Sequence, residues 1–150
     1  MGSAEIQDVV QKVVGFAHLE CIPSNTGLAQ AEINLVSMVA RELRLKEAIN
    51  ELVNLKIKEG KAYDYIFIDC PPSLNLLTVN AMVAAHSILV PLQSEFFALE
   101  GLSQLMLTIR DIRQSANTEL RIEGVVLTMY DARNNLSQQV EADARDNLGE

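Results

Sequence analysis

Four short apolar runs punctuate the chain, and each ends at turn-forming or polar residues. They are Leu19–Ile22 before Pro23-Ser24-Asn25, Tyr65–Ile68 before Asp69-Cys70-Pro71-Pro72, Ser87–Val90 before Pro91, and Gly124–Leu127 before Thr128–Asp131. The last three are continuous rather than alternating, the pattern of strands buried on both faces of a parallel sheet. Helical spacing fills the intervals. Leu28, Ala31, Leu35, Val36 and Val39 form one stripe, and Leu45, Ile49, Leu52 and Val53 form the next. Leu76, Leu77, Asn80 and Val83 continue the pattern behind Ser73, a plausible N-cap. The cleanest stripe is Leu102, Leu105, Met106, Ile109 and Ile112, and a last helix is predicted from Leu136 towards Leu148. Strands alternating with helices predict βαβ crossovers and a three-layer α/β domain, with a mainly parallel sheet and helices on both faces. Lys58–Lys61 reads as a polar turn between helix and strand. With no internal repeat and no Gly/Ser-rich linker, residues 1–150 read as one domain.

Composition narrows the class. A hydrophobic share of 49% over 150 residues is that of a globular chain with a real core. Twenty acidic against 12 basic residues give a net charge of −8, which argues against a chain-wide electrostatic footprint for nucleic acid. The longest apolar stretch, Leu76–Leu92, is broken by Thr78, Asn80, His86, Ser87 and Pro91, short of a membrane span. The first residues lack a cationic region followed by an apolar run, so no secretory signal is read there. Cys21 and Cys70 form no CxxC, so neither a disulfide framework nor a zinc site is expected, and both read as small buried strand-end residues. The absence of tryptophan argues against stacking platforms for single-stranded nucleic acid.

In α/β sheets, ligands bind beyond the carboxyl ends of the strands. That draws attention to Asp69, to Gln93–Glu95 and to Thr128–Asp131. An aspartate directly after four apolar strand residues sits where a nucleotide-bound Mg²⁺ is commonly held, because this hard ion keeps its waters and takes one or two carboxylates. The competing reading is a turn former or helix cap. Met82, Met106 and Met129 read as core filling, and His18 and His86 have no partner that suggests a ligand or base. Lys56, Lys58 and Lys61, and likewise Arg110 and Arg113, read as solvated helix surface rather than a DNA contact.

The stretch from Tyr63 to Ala81, YDYIFIDCPPSLNLLTVNA, resembles the Walker B region of the ParA/Soj partitioning ATPases, the deviant-Walker P-loop class that includes MinD. Further segments match in the right order: Ile22-Pro-Ser-Asn with Leu28-Ala and Ala31-Glu32, then Arg41–Ala48, Val90–Leu102, Glu123–Arg133 and Asn135–Val140. The resemblance covers the chain from about Leu19 onward. It implies that Asp69 holds Mg²⁺ through water and that Pro71-Pro72 form the turn behind it. It places Gln93, Glu95 and Gly101 near the nucleotide and dimer face, and Thr128, Met129, Tyr130 and Asp131 at a strand end that contacts the base. Asp131 reads equally as a turn residue.

For the intact family member the resemblance implies ATP and Mg²⁺ as cofactors, a homodimer, nonspecific DNA, a ParB-type centromere-binding partner, and a cytoplasmic, nucleoid-associated location without membrane. The family's KGGxGKT-like loop and its DxDPQ-like segment do not occur among these residues, and the seven glycines are scattered. The chain thus looks like an internal piece of such an ATPase. The alternative is a truncated or degenerate paralogue that acts only as a dimerisation or protein-binding module. A MinD-like membrane cycle would need a basic amphipathic carboxyl-terminal helix, which Arg145–Glu150 does not provide. In the family, the P-loop strand lies between the strands matching 65–68 and 87–90, so those two edges are expected to be left unpaired or rearranged. By themselves, the 150 residues are expected to show no Mg-ATP binding near ~1 µM, or about −8 kcal/mol, in calorimetric titration. A constant of that size overturns the expectation.

Overall fold

A computed structural model describes residues 5–95 and 98–148, which divide into two units, Met1–Ala84 and Ala85–Glu150. Phe96 and Phe97 of the 90–102 string, and the chain ends, lie outside the described residues.

In the first unit a short helix, α1 (Ile6–Val9), leads into a two-residue antiparallel ladder, β1 (Gln11–Lys12) with β2 (Glu20–Cys21). Gly15 turns between them at φ +88°, a region that disfavours any residue with a Cβ. Helices α2 (Gly27–Val36), α3 (Arg44–Lys58) and α4 (Leu76–Ala84) follow, with a 3₁₀ turn at Arg41–Leu43. Leu52 of α3 and Asn80 and Val83 of α4 are buried, as the two stripes predict, and Ala81 and Met82 of α4 are buried beside them. The α2 stripe behaves differently: Leu28, Val36 and Val39 are exposed.

Helix ends are set by local chemistry. Asn75, not Ser73, caps α4: its Oδ1 accepts the Thr78 N–H at 3.1 Å. Gly60 closes α3 at φ +71°, where its N–H reaches the Ile57 carbonyl and the Lys61 N–H reaches that of Lys56. That pair of bonds is a Schellman motif, and its left-handed residue favours glycine.

The run Tyr65–Ile68 departs from expectation. It forms no ladder among the described residues, and Tyr65 and Phe67 are 82% and 88% exposed. A continuous apolar run buries both faces only when strands flank it and layers cover it. The run at 19–22 contributes just Glu20–Cys21. Cys21 and Cys70 are exposed, not buried, because the segments carrying them lie at the surface.

The second unit is built on a parallel pair, β3 (Ser87–Gln93) with β4 (Arg121–Thr128), in register from Ser87 opposite Arg121 to Gln93 opposite Thr128, with an irregularity at Ile88/Leu89. Helix α5 (Ala98–Ser115) makes the crossover that parallel pairing requires. Helix α6 (Asn135–Leu148) follows β4, its first turn held by the Asn134 Oδ1 accepting the Leu136 N–H. Val90 and Leu92 of β3, Leu102 of α5, and Val140 and Ala144 of α6 form one buried cluster, flanked by Val125, Leu127 and Leu136. Leu89 and Val126 remain exposed, although their continuous runs predict cover on both faces: α5 and α6 feed the same cluster. The fold is α/β, with helices and a parallel strand pair.

Leu120, only 1% exposed just before β4, measures how tightly this unit packs. Leu120→Ala is expected to cost about 2–5 kcal/mol, whereas Phe67→Ser stays within about 0.5 kcal/mol. Urea unfolding checks both, and equal losses overturn the contrast in burial.

Candidate functional site

Parallel register brings six of the seven candidate residues to one end of the second unit. Gln93 lies opposite Thr128, so Ser94-Glu95 and Met129–Asp131 leave the strand pair at its carboxyl edge. A tight turn forms at once, with the Glu95 N–H donating to the Gln93 carbonyl at 2.8 Å. The Thr128 hydroxyl donates to the Leu92 carbonyl at 3.4 Å, tying the two strand ends. Met129 follows at φ +53° and 82% exposed, so it is not core filling; Met82 is buried and Met106 half-buried. A non-glycine residue held left-handed at a strand end is a strained position of the kind found at ligand-facing edges.

Two of these side chains already have protein partners. The Tyr130 hydroxyl donates to Glu141 on α6 at 2.7 Å, and Arg145 donates to the other Glu141 oxygen at 3.0 Å. These hydrogen bonds hold the Glu141 carboxyl below its ordinary value and push the Tyr130 phenol up. Asp131 accepts the Arg133 guanidinium on both oxygens, at 3.0 and 2.9 Å, and the Arg133 backbone N–H at 2.9 Å. Its carboxyl is lowered accordingly, and it shapes the turn before α6.

Ser94 was legible as part of the 93–95 stretch, but not its state. It is 8% exposed, and its hydroxyl is buried with no hydrogen-bond partner among the described residues. An orphaned buried hydroxyl is uncommon and suits a ligand that supplies the missing partner.

Asp69 belongs to the first unit. It is exposed, and among the described residues its carboxylate accepts no hydrogen bond and forms no ion pair. Among the described residues, no three or more His, Cys, Asp or Glu side chains are gathered so as to hold a metal ion. A single free carboxylate still fits Mg²⁺, which takes one or two and keeps several waters. Next to it, partial desolvation, then the Asp69 charge, push the Cys70 thiol up, so it stays protonated near neutral pH and is a poor nucleophile.

Sequence reasoning missed a polar cluster in the first unit. Lys56, expected at a solvated helix end, is largely buried and donates to Glu20 of β2 at 2.7 Å. The Tyr63 hydroxyl donates to the same oxygen, and the ammonium lies 5.5 Å from the Tyr63 ring centre. Glu20, Lys56 and Tyr63 lie 36 and 43 residues apart, and no local spacing reports such a contact. Lys58 and Lys61 are exposed as expected.

Hydrogen bonds from Lys56 and then Tyr63 hold the Glu20 carboxyl below its ordinary value. A lowered folded-state value stabilises the fold above the ordinary glutamate range, and that stability is lost as pH falls through the folded value. Wild type is therefore expected to lose stability on acidification below about pH 4.5 more steeply than Glu20→Gln, measured by thermal melts across pH. Parallel profiles overturn the assignment.

A family model described as AAA domain matches residues 1–122. The chromosome partitioning protein ParA of Caulobacter vibrioides is 49% identical over 150 residues, covering 100% of this chain and 54% of that protein. The sporulation initiation inhibitor protein Soj of Bacillus subtilis is 50% identical over 137 residues, 91% of this chain and 51% of that protein. The crystal structure of cobyrinic acid a,c-diamide synthase from Mycobacterium smegmatis with bound ADP and magnesium is similar at a TM-score of 0.82 and 36% identity, over 95% of this chain and 55% of that one. The chain thus spans about half the length of the curated relatives it matches. It belongs to the AAA domain family, and its relatives include ParA- and Soj-type partitioning proteins.

Proposed function

We propose that this chain forms the Mg²⁺-holding and base-facing part of a ParA-type partitioning ATPase. Asp69 carries the reading: it is an exposed carboxylate directly behind the apolar run 65–68, without an ion pair among the described residues. In this reading Asp69 orients water on the metal. Gln93 and Glu95 lie near the nucleotide and dimer face, and the backbone of Thr128–Tyr130 lies beside the base, with Asp131 shaping the turn. The buried Ser94 hydroxyl, without a hydrogen-bond partner among the described residues, supports a ligand at that edge. When bound, Mg-ATP supplies the transferable phosphoryl group and the charge neutralisation around it.

The proposed activity is a switch. The triphosphate state favours a closed homodimer that holds DNA without reading its sequence, and hydrolysis, stimulated by a ParB-type centromere-binding protein, removes that preference. The setting is the cytoplasm at the nucleoid. None of the described helices is long and apolar enough to cross a membrane. Exposed Tyr65 and Phe67 favour one second reading, a non-catalytic module that associates through this segment.

The test is a chimera joining residues 19–150 to the amino-terminal segment of a ParA relative. Asp69→Ala is expected to lower Mg²⁺-dependent ATP turnover ~10–100-fold or more, with an unchanged circular dichroism spectrum. Near-normal turnover sinks the metal-holding role. A chimera that dimerises but never hydrolyses ATP supports the module instead.

A further inference from the structure

The polypeptide leaving β4 is fastened to its surroundings at three points. The Thr128 hydroxyl holds the strand end to the Leu92 carbonyl of β3 at 3.4 Å. The Tyr130 hydroxyl donates to Glu141 Oε2 at 2.7 Å, and Gln138 Nε2 donates to the Ala132 carbonyl at 2.7 Å. Glu141 and Gln138 both belong to α6, whose Val140 and Ala144 are sunk in the core at 2% and 6% exposure. Glu141 and Arg145 directly follow those two anchors in sequence, so they stand on a fixed stretch of helix.

Arg145 completes the arrangement. Its Nε and Nη2 donate to Glu141 Oε1 at 3.2 and 3.0 Å, which leaves Oε2 to accept from Tyr130. Glutamate four residues before arginine is the favourable order on a helix. Met129 lies between the fastened residues Thr128 and Tyr130, left-handed at φ +53°. A residue with a Cβ keeps that conformation only where its neighbours hold it there. Among the described residues, Tyr130 is the one side chain of 129–131 whose hydrogen bond reaches another element, since Asp131 bonds only to Arg133.

We propose that Glu141 is a positioning residue for nucleotide-base selection. Braced by Arg145, it fixes Tyr130, and through Tyr130 it keeps Met129 left-handed and the 128–130 backbone in one shape. The inference rests on the base-facing reading proposed above and adds what makes that edge selective. Backbone N–H and C=O groups form a row of donors and acceptors whose spacing is set by the chain's conformation. Adenine carries an amino donor where guanine carries a carbonyl acceptor, so a rigid row distinguishes the two and a relaxed one does not. Glu141 acts through Tyr130 rather than on the base itself. A plain staple between β4 and α6 would leave the choice of nucleotide unaffected.

The test has two arms. In the full chain, hydrogen exchange at the 129–131 amides is expected to quicken several-fold in Glu141→Ala, while the 122–127 amides of the ladder keep wild-type rates. The Tyr130 phenol, pushed up by its bond to Glu141, is expected to titrate nearer its ordinary value, read from its ring NMR signal. In the chimera described above, Glu141→Ala is expected to raise KM for ATP about tenfold, the worth of one hydrogen bond, and to lower kcat less. Its preference for ATP over GTP narrows, whereas inorganic triphosphate inhibits it as well as wild type. Tyr130→Phe is expected to match it, and Glu141→Gln, which still offers Tyr130 an acceptor, to retain most of the wild-type KM and preference. Unchanged exchange at 129–131 overturns the brace. Faster exchange with wild-type KM and preference makes Glu141 a structural staple and overturns its part in base selection. A wild-type chimera that uses GTP as well as ATP refutes this inference alone. One that turns over no ATP takes the base-facing reading down with it.

Discussion

Parallel pairing of β3 with β4 is the constraint on which the second unit depends. Two parallel strands cannot be joined by a tight turn, so the chain must travel the length of the sheet before the second strand begins. Helix α5 makes that return over Ala98–Ser115, and its Leu102 joins Val90 and Leu92 in the core. The same requirement decides where chemistry gathers. Because both strands run the same way, both release their chains at one end, and Gln93, Ser94 and Glu95 meet Thr128–Asp131 there. An antiparallel pair would have split those groups between opposite ends. A cleft lined by Arg110, Arg113 and Arg121 is the complement of this arrangement, built where α5 ends and β4 begins.

The first unit is held by different means. Its buried apolar set is small, and polar contacts join pieces that are distant in sequence. Asn80, buried in α4, accepts the Leu45 N–H at 3.2 Å and donates to the Leu76 carbonyl at 2.9 Å. It thereby anchors the first turn of α3, whose N–H groups have no helical partner of their own. Lys56 and Tyr63 converge on Glu20 and fasten β2 to the end of α3. Contacts of this kind are directional, and losing one partner leaves a buried group unsatisfied at a cost of about 1–3 kcal/mol.

Electrostatics sort the surface in a way that net charge conceals. The chain carries −8, yet guanidinium groups tie Asp131 and Glu141 near the carboxyl edge of the strand pair and line the cleft at the other end. Asp69 stands apart as a carboxylate with neither ion pair nor hydrogen bond among the described residues. An unpaired carboxylate in water costs little, and it remains available for a cation.

The sequence by itself determined what depends on neighbours within a few residues. The period of Leu102–Ile112 fixed α5, the apolar runs at 87–90 and 124–127 fixed β3 and β4, and the collinear motifs from Tyr63 to Val140 identified the family. These signals are local because a helix or strand is recognised by which side chains recur on one face. Burial needed the tertiary structure. Tyr65–Ile68 and Ser87–Val90 are similar apolar runs, but the first is largely exposed and forms no ladder among the described residues, while the other sits in a ladder over a packed cluster. The pairing of Glu20 with Lys56 and Tyr63, the orphaned hydroxyl of Ser94, and the meeting of Arg110 and Arg113 with Arg121 were also invisible in one dimension. Each depends on which distant segment folds against which, and that is decided by the packing of whole elements rather than by any residue's own preference.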